Sequence, residues 1–85
     1  MNDSAYAIQI YALRNFKDKI PLGELDSFLV YRTRDNFYKY IFGQFSSEDA
    51  ASKDLDKAKN SGFKDAFVTR SYKLKPYKLF YKKFK

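Results

Sequence analysis

The chain has 85 residues and a formal net charge of +7, from 17 lysines and arginines against 10 acidic residues. This length allows one small domain, because a chain this short buries only about 60% of the surface that its unfolded form exposes. Eight tyrosines and nine phenylalanines provide large rings that make a small core efficient. The absence of cysteine and histidine excludes disulfide bonds, Cys/His zinc sites, thiol nucleophiles and Ser-His-Asp triads.

The sequence contains no segment long enough to span a membrane, since its longest apolar runs have four residues and a spanning helix needs about 20. The first residues also lack the basic start and apolar core of a signal peptide. If the protein acts in the cell envelope or periplasm, we therefore expect this chain to be one module of a longer protein.

The charge is distributed unevenly along the chain. Residues 1–70 contain 11 basic and 10 acidic residues, whereas residues 71–85 contain six lysines and no acidic residue. We therefore divide the chain into a nearly neutral domain and a basic, aromatic C-terminal extension. Such an extension either stays solvated or contacts a polyanion, such as nucleic acid or an anionic membrane. The lysines concerned are Lys73, Lys75, Lys78, Lys82, Lys83 and Lys85.

Alternating apolar residues predict a first strand at residues 6–13. The two-residue period of a strand places Gln9 and Tyr11 on the face opposite the isoleucines. A proline and a glycine then interrupt residues 14–26, so this connection is expected to form a short helical turn at most.

A hairpin is predicted next, with strands at residues 27–33 and 37–42 around a polar turn at residues 34–36. Alternation in its second strand places Phe37 and Lys39 on the face opposite Tyr38, Tyr40 and Phe42.

A helix follows the hairpin and is the clearest element of the sequence. Ser46 is the expected cap, with Asp49 completing a capping box. Gly62 is a typical left-handed helix stop, and residues 63–72 read as a last strand. The apolar stripe of the helix consists of Ala51, Leu55 and Ala58. This order of elements predicts an α+β fold, in which an antiparallel sheet has its helical cover on one face.

The extension admits two local structures. Residues 72–76 alternate like a strand, whereas the residues after Pro76 have rings at helical spacing, as in a short amphipathic helix on a membrane surface. Ten residues are too few to be helical alone in water. We therefore expect either a loose extension or rings that dock on the domain and fill the space beside the short connection 14–26.

Three segments of the chain resemble the SPOR domain, a bacterial peptidoglycan-binding module. The first strand is close to the family's aromatic-x-Ile/Val-Gln-Val start, the third strand is similar to its Tyr-Arg-Val-x-Val-Gly-x-Phe, and the helix is similar to its Ser-x-Glu-Glu-Ala helix ending in Gly. The matching stretches are Tyr6-Ala7-Ile8-Gln9-Ile10, residues 37–45, and residues 46–68. Each motif is weak alone, but their order and spacing together are fairly specific.

The resemblance implies an RNP-like, four-stranded antiparallel sheet whose exposed face binds glycan strands stripped of their stem peptides, without catalysis or a cofactor. By position, it implies Gln9, Phe37 and Lys39 as the principal glycan contacts, with Tyr11 and Arg32 as weaker candidates. The chain departs from the family where its first helix is shortened and where Lys39 replaces an arginine, which removes a bidentate fork.

Nucleic-acid binding by the sheet and polyanion binding by the extension are the alternatives to glycan binding. A four-stranded sheet with exposed rings can stack nucleic-acid bases, but the third strand lacks the Gly-Phe pattern of RNA-recognition motifs. The main alternative is a polyanion-binding module that uses the extension. Catalysis has little support, because no paired carboxylates, phosphate loop or metal spacing is visible.

Overall fold

The computed structural model describes residues 5–23 and 25–84. Its elements form one antiparallel sheet of five strands in the order β4-β1-β3-β2-β5, with one helix and one short 3-10 turn. The elements are β1 Tyr6–Leu13, β2 Ser27–Arg32, β3 Tyr38–Phe45, α1 Glu48–Asn60, β4 Phe67–Arg70, the 3-10 turn Ser71–Leu74 and β5 Lys78–Phe84. The predicted α+β class is confirmed, whereas the predicted count of four strands is wrong.

One face of the sheet, here called the helix side, is buried. Helix α1 covers β1, β3 and β4, with Ala51 and Ala58 fully buried as its apolar stripe predicts. The connection between β1 and β2 covers the rest, because its Phe16 ring contacts rings of β3 and β5. The core of this side includes Ile8, Ile10, Phe28, Val30, Tyr40 and Phe42. The opposite face of the sheet, here called the open face, has no α-helix on it in the described part of the chain.

The described part of the connection 14–26 contains no helix, in agreement with the proline and glycine that interrupt it. It is fixed to the sheet through the buried Tyr40, whose hydroxyl donates to the Lys17 carbonyl at 2.7 Å and accepts from the Lys17 N–H at 2.6 Å. Ile20 and Leu25 are buried in the same core. An irregular segment therefore provides the cover that a first helix supplies in the expected fold.

Residues 71–84 form neither the strand at 72–76 nor the helix after Pro76 that their local patterns favour. Residues 71–74 form a 3-10 turn and residues 78–84 form β5, which pairs antiparallel with the free edge of β2. That edge would otherwise present unpaired backbone N–H and C=O groups. The expected docking of rings is found, because Phe80 and Tyr81 each lie 5.0 Å from the Phe16 ring.

Two irregularities in the β1–β3 pairing change which side chains share a face. One extra residue, Ile10, is inserted in β1 between the pairs that contain Gln9 and Tyr11. A second irregularity lies in β3 at Gly43, whose φ of 76° is a left-handed conformation that favours glycine. The bulge at Gly43 lets β3 continue to Phe45, three residues beyond its predicted end.

The ends of α1 follow the expected chemistry with one change of residue. Ser47, rather than Ser46, is the N-cap, and its side chain accepts from the Ala50 N–H at 3.1 Å. Gly62 has a φ of 105°, as predicted for a left-handed stop. Strand β4 is shorter than predicted, because the residues from Phe63 to Ala66 make turns and bury both of these side chains before β4 begins.

Candidate functional site

The open face combines polar and aromatic side chains from four strands. Gln9 of β1 pairs with Phe67 of β4 on one side and with Ile41 of β3 on the other. Lys39 of β3 pairs with Tyr31 of β2. Because paired residues of neighbouring strands point to the same face, these side chains lie together on the side of the sheet away from α1.

A segment of the chain crosses this face. Strands β4 and β5 lie at opposite edges of the sheet, so residues 71–77, here called the crossover, must pass over the sheet to connect them. Leu74 of the crossover is only 8% exposed and packs against Ala7 and Ile41 of the open face. The Tyr77 ring lies 5.3 Å from the Lys39 ammonium, a distance suited to a cation–π contact. The crossover therefore leaves a groove on each side of it.

The first groove, with a volume of about 400 Å³, contains two of the residues predicted to bind glycan. Gln9 and Lys39 line it from the sheet, together with Phe67 and Thr69 of β4. The crossover supplies its other wall through Lys73, Leu74 and Tyr77. No acidic side chain of the described residues lines this groove. It therefore offers an amide, two ammonium groups, a hydroxyl and two aromatic rings to a ligand.

A comparison with protein families gives a match to the SPOR domain over residues 2–70. The chain belongs to the SPOR domain family. SPOR domains are binding modules, not enzymes; they are known for binding peptidoglycan in cell division and occur in proteins of the cell envelope. Searches of curated proteins and of solved structures found no match.

The SPOR match ends where β4 ends, at Arg70. The crossover and β5 therefore lie outside the matched region, although β5 pairs with β2 over its whole length. None of the described helices of this SPOR domain is long and apolar enough to cross a membrane.

Tyr11 does not lie on the open face, so its predicted placement is wrong. The inserted Ile10 reverses the alternation of β1 and pairs Tyr11 with the buried Tyr40. The Tyr11 ring makes edge-to-face contacts with Tyr40 at 6.0 Å and with Phe63 at 5.1 Å. In this SPOR domain Tyr11 therefore belongs to the core of the helix side.

Arg32 also lies on the helix side. It pairs with Tyr38, and its guanidinium lies 5.8 Å from that ring. Its side chain donates to the Asn36 side chain at 3.2 Å. These contacts hold Arg32 beside the β2–β3 turn, whereas the groove with Gln9 and Lys39 lies on the other face.

Phe37 lies one residue before β3, at the β2–β3 turn, and does not line the first groove. The Arg14 guanidinium covers its ring at 5.0 Å. Its N–H donates to the Thr33 hydroxyl at 3.1 Å. That hydroxyl in turn donates to Asp35, and this hydrogen bond is the main cause that lowers the pKa of the Asp35 carboxyl. The structure therefore brings Gln9 and Lys39 together and places Phe37 at the far end of the sheet.

Five residues of the first groove are not among the predicted glycan contacts: Phe67, Thr69, Lys73, Leu74 and Tyr77. Phe67 and Thr69 alternate in β4, and their two-residue spacing was the available signal for a shared face. Lys73 and Tyr77 had no such signal, because their place depends on the crossover and hence on the pairing of β5 with β2. Only the assembled sheet brings these two residues beside Gln9.

Proposed function

We propose that this SPOR domain binds the glycan strands of peptidoglycan in the first groove, with Gln9 and Lys39 as its principal contacts. The observation that carries the proposal is the meeting of these two residues in one groove on the open face of a SPOR domain. Phe37 is retained as an outer contact at the end of the sheet. Tyr11 and Arg32 are not part of the proposed site, because both contact the helix side.

The groove has the chemistry that a sugar chain needs. Sugar rings have apolar faces edged by hydroxyls, and the 48% exposed Phe67 offers a ring for such a face. The Gln9 amide can donate to one hydroxyl and accept from another. These contacts account for binding of the neutral parts of a glycan strand. They do not distinguish a stripped strand from one that keeps its stem peptides.

The lysines provide that selection. An amidase that removes stem peptides hydrolyses an amide and leaves a free carboxylate on the glycan. Lys39 and Lys73 both line the groove, and no acidic side chain of the described residues lines it with them, so each ammonium can pair with such a carboxylate. We therefore expect tighter binding to stripped strands than to strands that keep their peptides.

The test is co-sedimentation of the purified domain with sacculi treated with an amidase. Gln9→Ala combined with Lys39→Gln is expected to weaken binding by about tenfold or more, since a charge-assisted hydrogen bond and a neutral one are both removed. Lys53→Gln is the matched control: Lys53 is exposed on α1, on the opposite side of the sheet, and its substitution changes the charge equally. Unchanged binding by the double variant would contradict the proposal, and Phe37→Ala tests the outer contact separately.

The alternative function is polyanion binding through residues 71–85. The positions of the lysines in the folded chain argue against this function. Lys82 pairs with Leu29 on the open face, whereas Lys83 pairs with the buried Phe28 on the helix side. The lysines of β5 therefore do not form a single basic face. Deleting the segment would also remove a strand, so the alternative is tested by Lys→Gln substitutions. It predicts a steep loss of affinity for nucleic acid or anionic vesicles as salt rises.

A further inference from the structure

The open face has a second groove on the other side of the crossover. Two neighbouring cavities of about 300 and 550 Å³ share six lining residues, so they form one continuous groove along β3, β2 and β5. Its floor includes Leu29, Tyr31, Ile41 and the backbone of Gly43. One of its walls is the crossover, and the other is the end of β5. This second groove contains neither Gln9 nor Lys39.

The second groove leaves large apolar side chains in contact with solvent. Leu79 is 45% exposed and Phe84 is 67% exposed, and both line the groove beside the half-buried Tyr31. Burying apolar surface of this kind under a ligand would gain about 25 cal/mol of free energy for each Å² removed from water. When such side chains cluster in a concave site, they are typical of a ligand groove.

The charges at the rim indicate what kind of ligand fits. Lys75 lines the groove from the crossover and Lys82 lines it from β5. No acidic side chain of the described residues lines either cavity. The groove therefore presents an apolar, partly aromatic floor between two ammonium groups, which suits a ligand with apolar faces and sparse negative charges.

We propose that the second groove binds a carboxylate-bearing sugar chain, so that one domain holds glycan at two places on the same face. The proposal rests on the proposed function, because it takes the same class of ligand. Two lysines match the sparse carboxylates of a stripped glycan better than the dense phosphates of a nucleic acid. Two contacts on one polymer raise the overall affinity through effective concentration.

The crossover is what makes the two grooves distinct. Leu74 and Tyr77 line both the first groove and the second, and Leu74 is buried between them against Ala7 and Ile41. Because the SPOR match ends at Arg70, both the dividing wall and the β5 side of the second groove come from outside the matched region. The C-terminal segment of this chain therefore supplies the walls of the second groove, whereas its floor lies in β2 and β3.

The test is a titration of the ¹⁵N-labelled full chain with soluble glycan chains, prepared from sacculi with an amidase and then a muramidase. We expect amide shifts at Gly43 and Leu79 in the second groove as well as at Gln9 and Thr69 in the first. Lys82→Gln is expected to weaken binding of long chains about two- to fivefold and to reduce the shifts at Gly43. Lys78→Gln is the matched control, since Lys78 is an exposed lysine of the same strand that does not line the groove.

The outcomes separate the two proposals. Shifts confined to Gln9 and Thr69 would overturn the second groove and leave the proposed function intact. No shift at either groove would overturn both. Shifts at Gly43 caused by a single-stranded oligonucleotide or by anionic phosphatidylglycerol vesicles, but not by the glycan chains, would show another class of ligand and overturn the inference.

Discussion

Truncating Leu74 tests whether the crossover is part of the folded domain. Leu→Ala removes three carbons, and burial of each is worth about 0.8 kcal/mol. Because Leu74 is only 8% exposed, we expect Leu74→Ala to lower the free energy of unfolding by about 2–3 kcal/mol. A domain of this length has a total stability of about 4–13 kcal/mol, so the loss is a large share of it.

The assay is urea unfolding followed by tyrosine fluorescence, since the chain has no tryptophan. With a slope of about 1 kcal/mol per M for a small domain, the midpoint is expected to fall by about 2 M. Leu79→Ala is the matched control: the same atoms are removed from the same C-terminal segment, but the side chain is 45% exposed, and we expect a loss of about 1 kcal/mol or less. Equal midpoints for Leu74→Ala and the wild type would refute the packing of the crossover on the open face.

Three further predictions concern single residues. Gly43→Ala is expected to cost about 1–3 kcal/mol in urea unfolding, because its φ of 76° strains any other residue. Tyr40→Phe is expected to cost about 1–3 kcal/mol by the same assay, because it removes both hydrogen bonds to Lys17. Burial raises the pKa of the Tyr40 hydroxyl. The neutral hydroxyl therefore contributes to the free energy of unfolding below about pH 10, and this contribution is lost as the pH rises further. In Tyr40→Phe, the decline of stability at alkaline pH should be less steep. An NMR titration should find the pKa of Asp35 below its ordinary value. The free energy of unfolding should then fall as the pH drops through that lowered pKa. Thr33→Val removes the hydrogen bond to the carboxylate and should raise the pKa of Asp35 again.

Much of the fold was predictable from local patterns. The bounds of β1 and the start of β2 agree with the alternation of apolar residues, and Gly62 ends α1 as its position suggests. These features depend on short-range rules of strand period and helix capping. They fixed the α+β class without any knowledge of how the chain ends.

The C-terminal segment could not be predicted in the same way. Its rings at Tyr77, Phe80, Tyr81 and Phe84 have helical spacing, yet residues 78–84 form a strand. Pairing with the free edge of β2 and contacts with Phe16 outweigh the local pattern, because a short helix has little stability of its own. Long-range pairing of this kind leaves no local signal.

The candidate site shows the same division between local and long-range information. Gln9 and Lys39 were placed on one face by alternation and by the family resemblance, and they share a groove. Tyr11 was misplaced by the single inserted residue Ile10, because a one-residue shift moves every following side chain to the other face. A bulge has no reliable sequence signal unless a glycine marks it, as Gly43 does in β3.

The proposed function depends on recognition of the free carboxylates of glycan strands by the first groove. The most direct measurement is the binding of the wild-type domain to one preparation of sacculi before and after amidase treatment, at constant salt. We expect a severalfold increase in bound protein after treatment, and loss of that increase in Lys39→Gln combined with Lys73→Gln. Equal binding to both preparations, or a decrease after treatment, would contradict it.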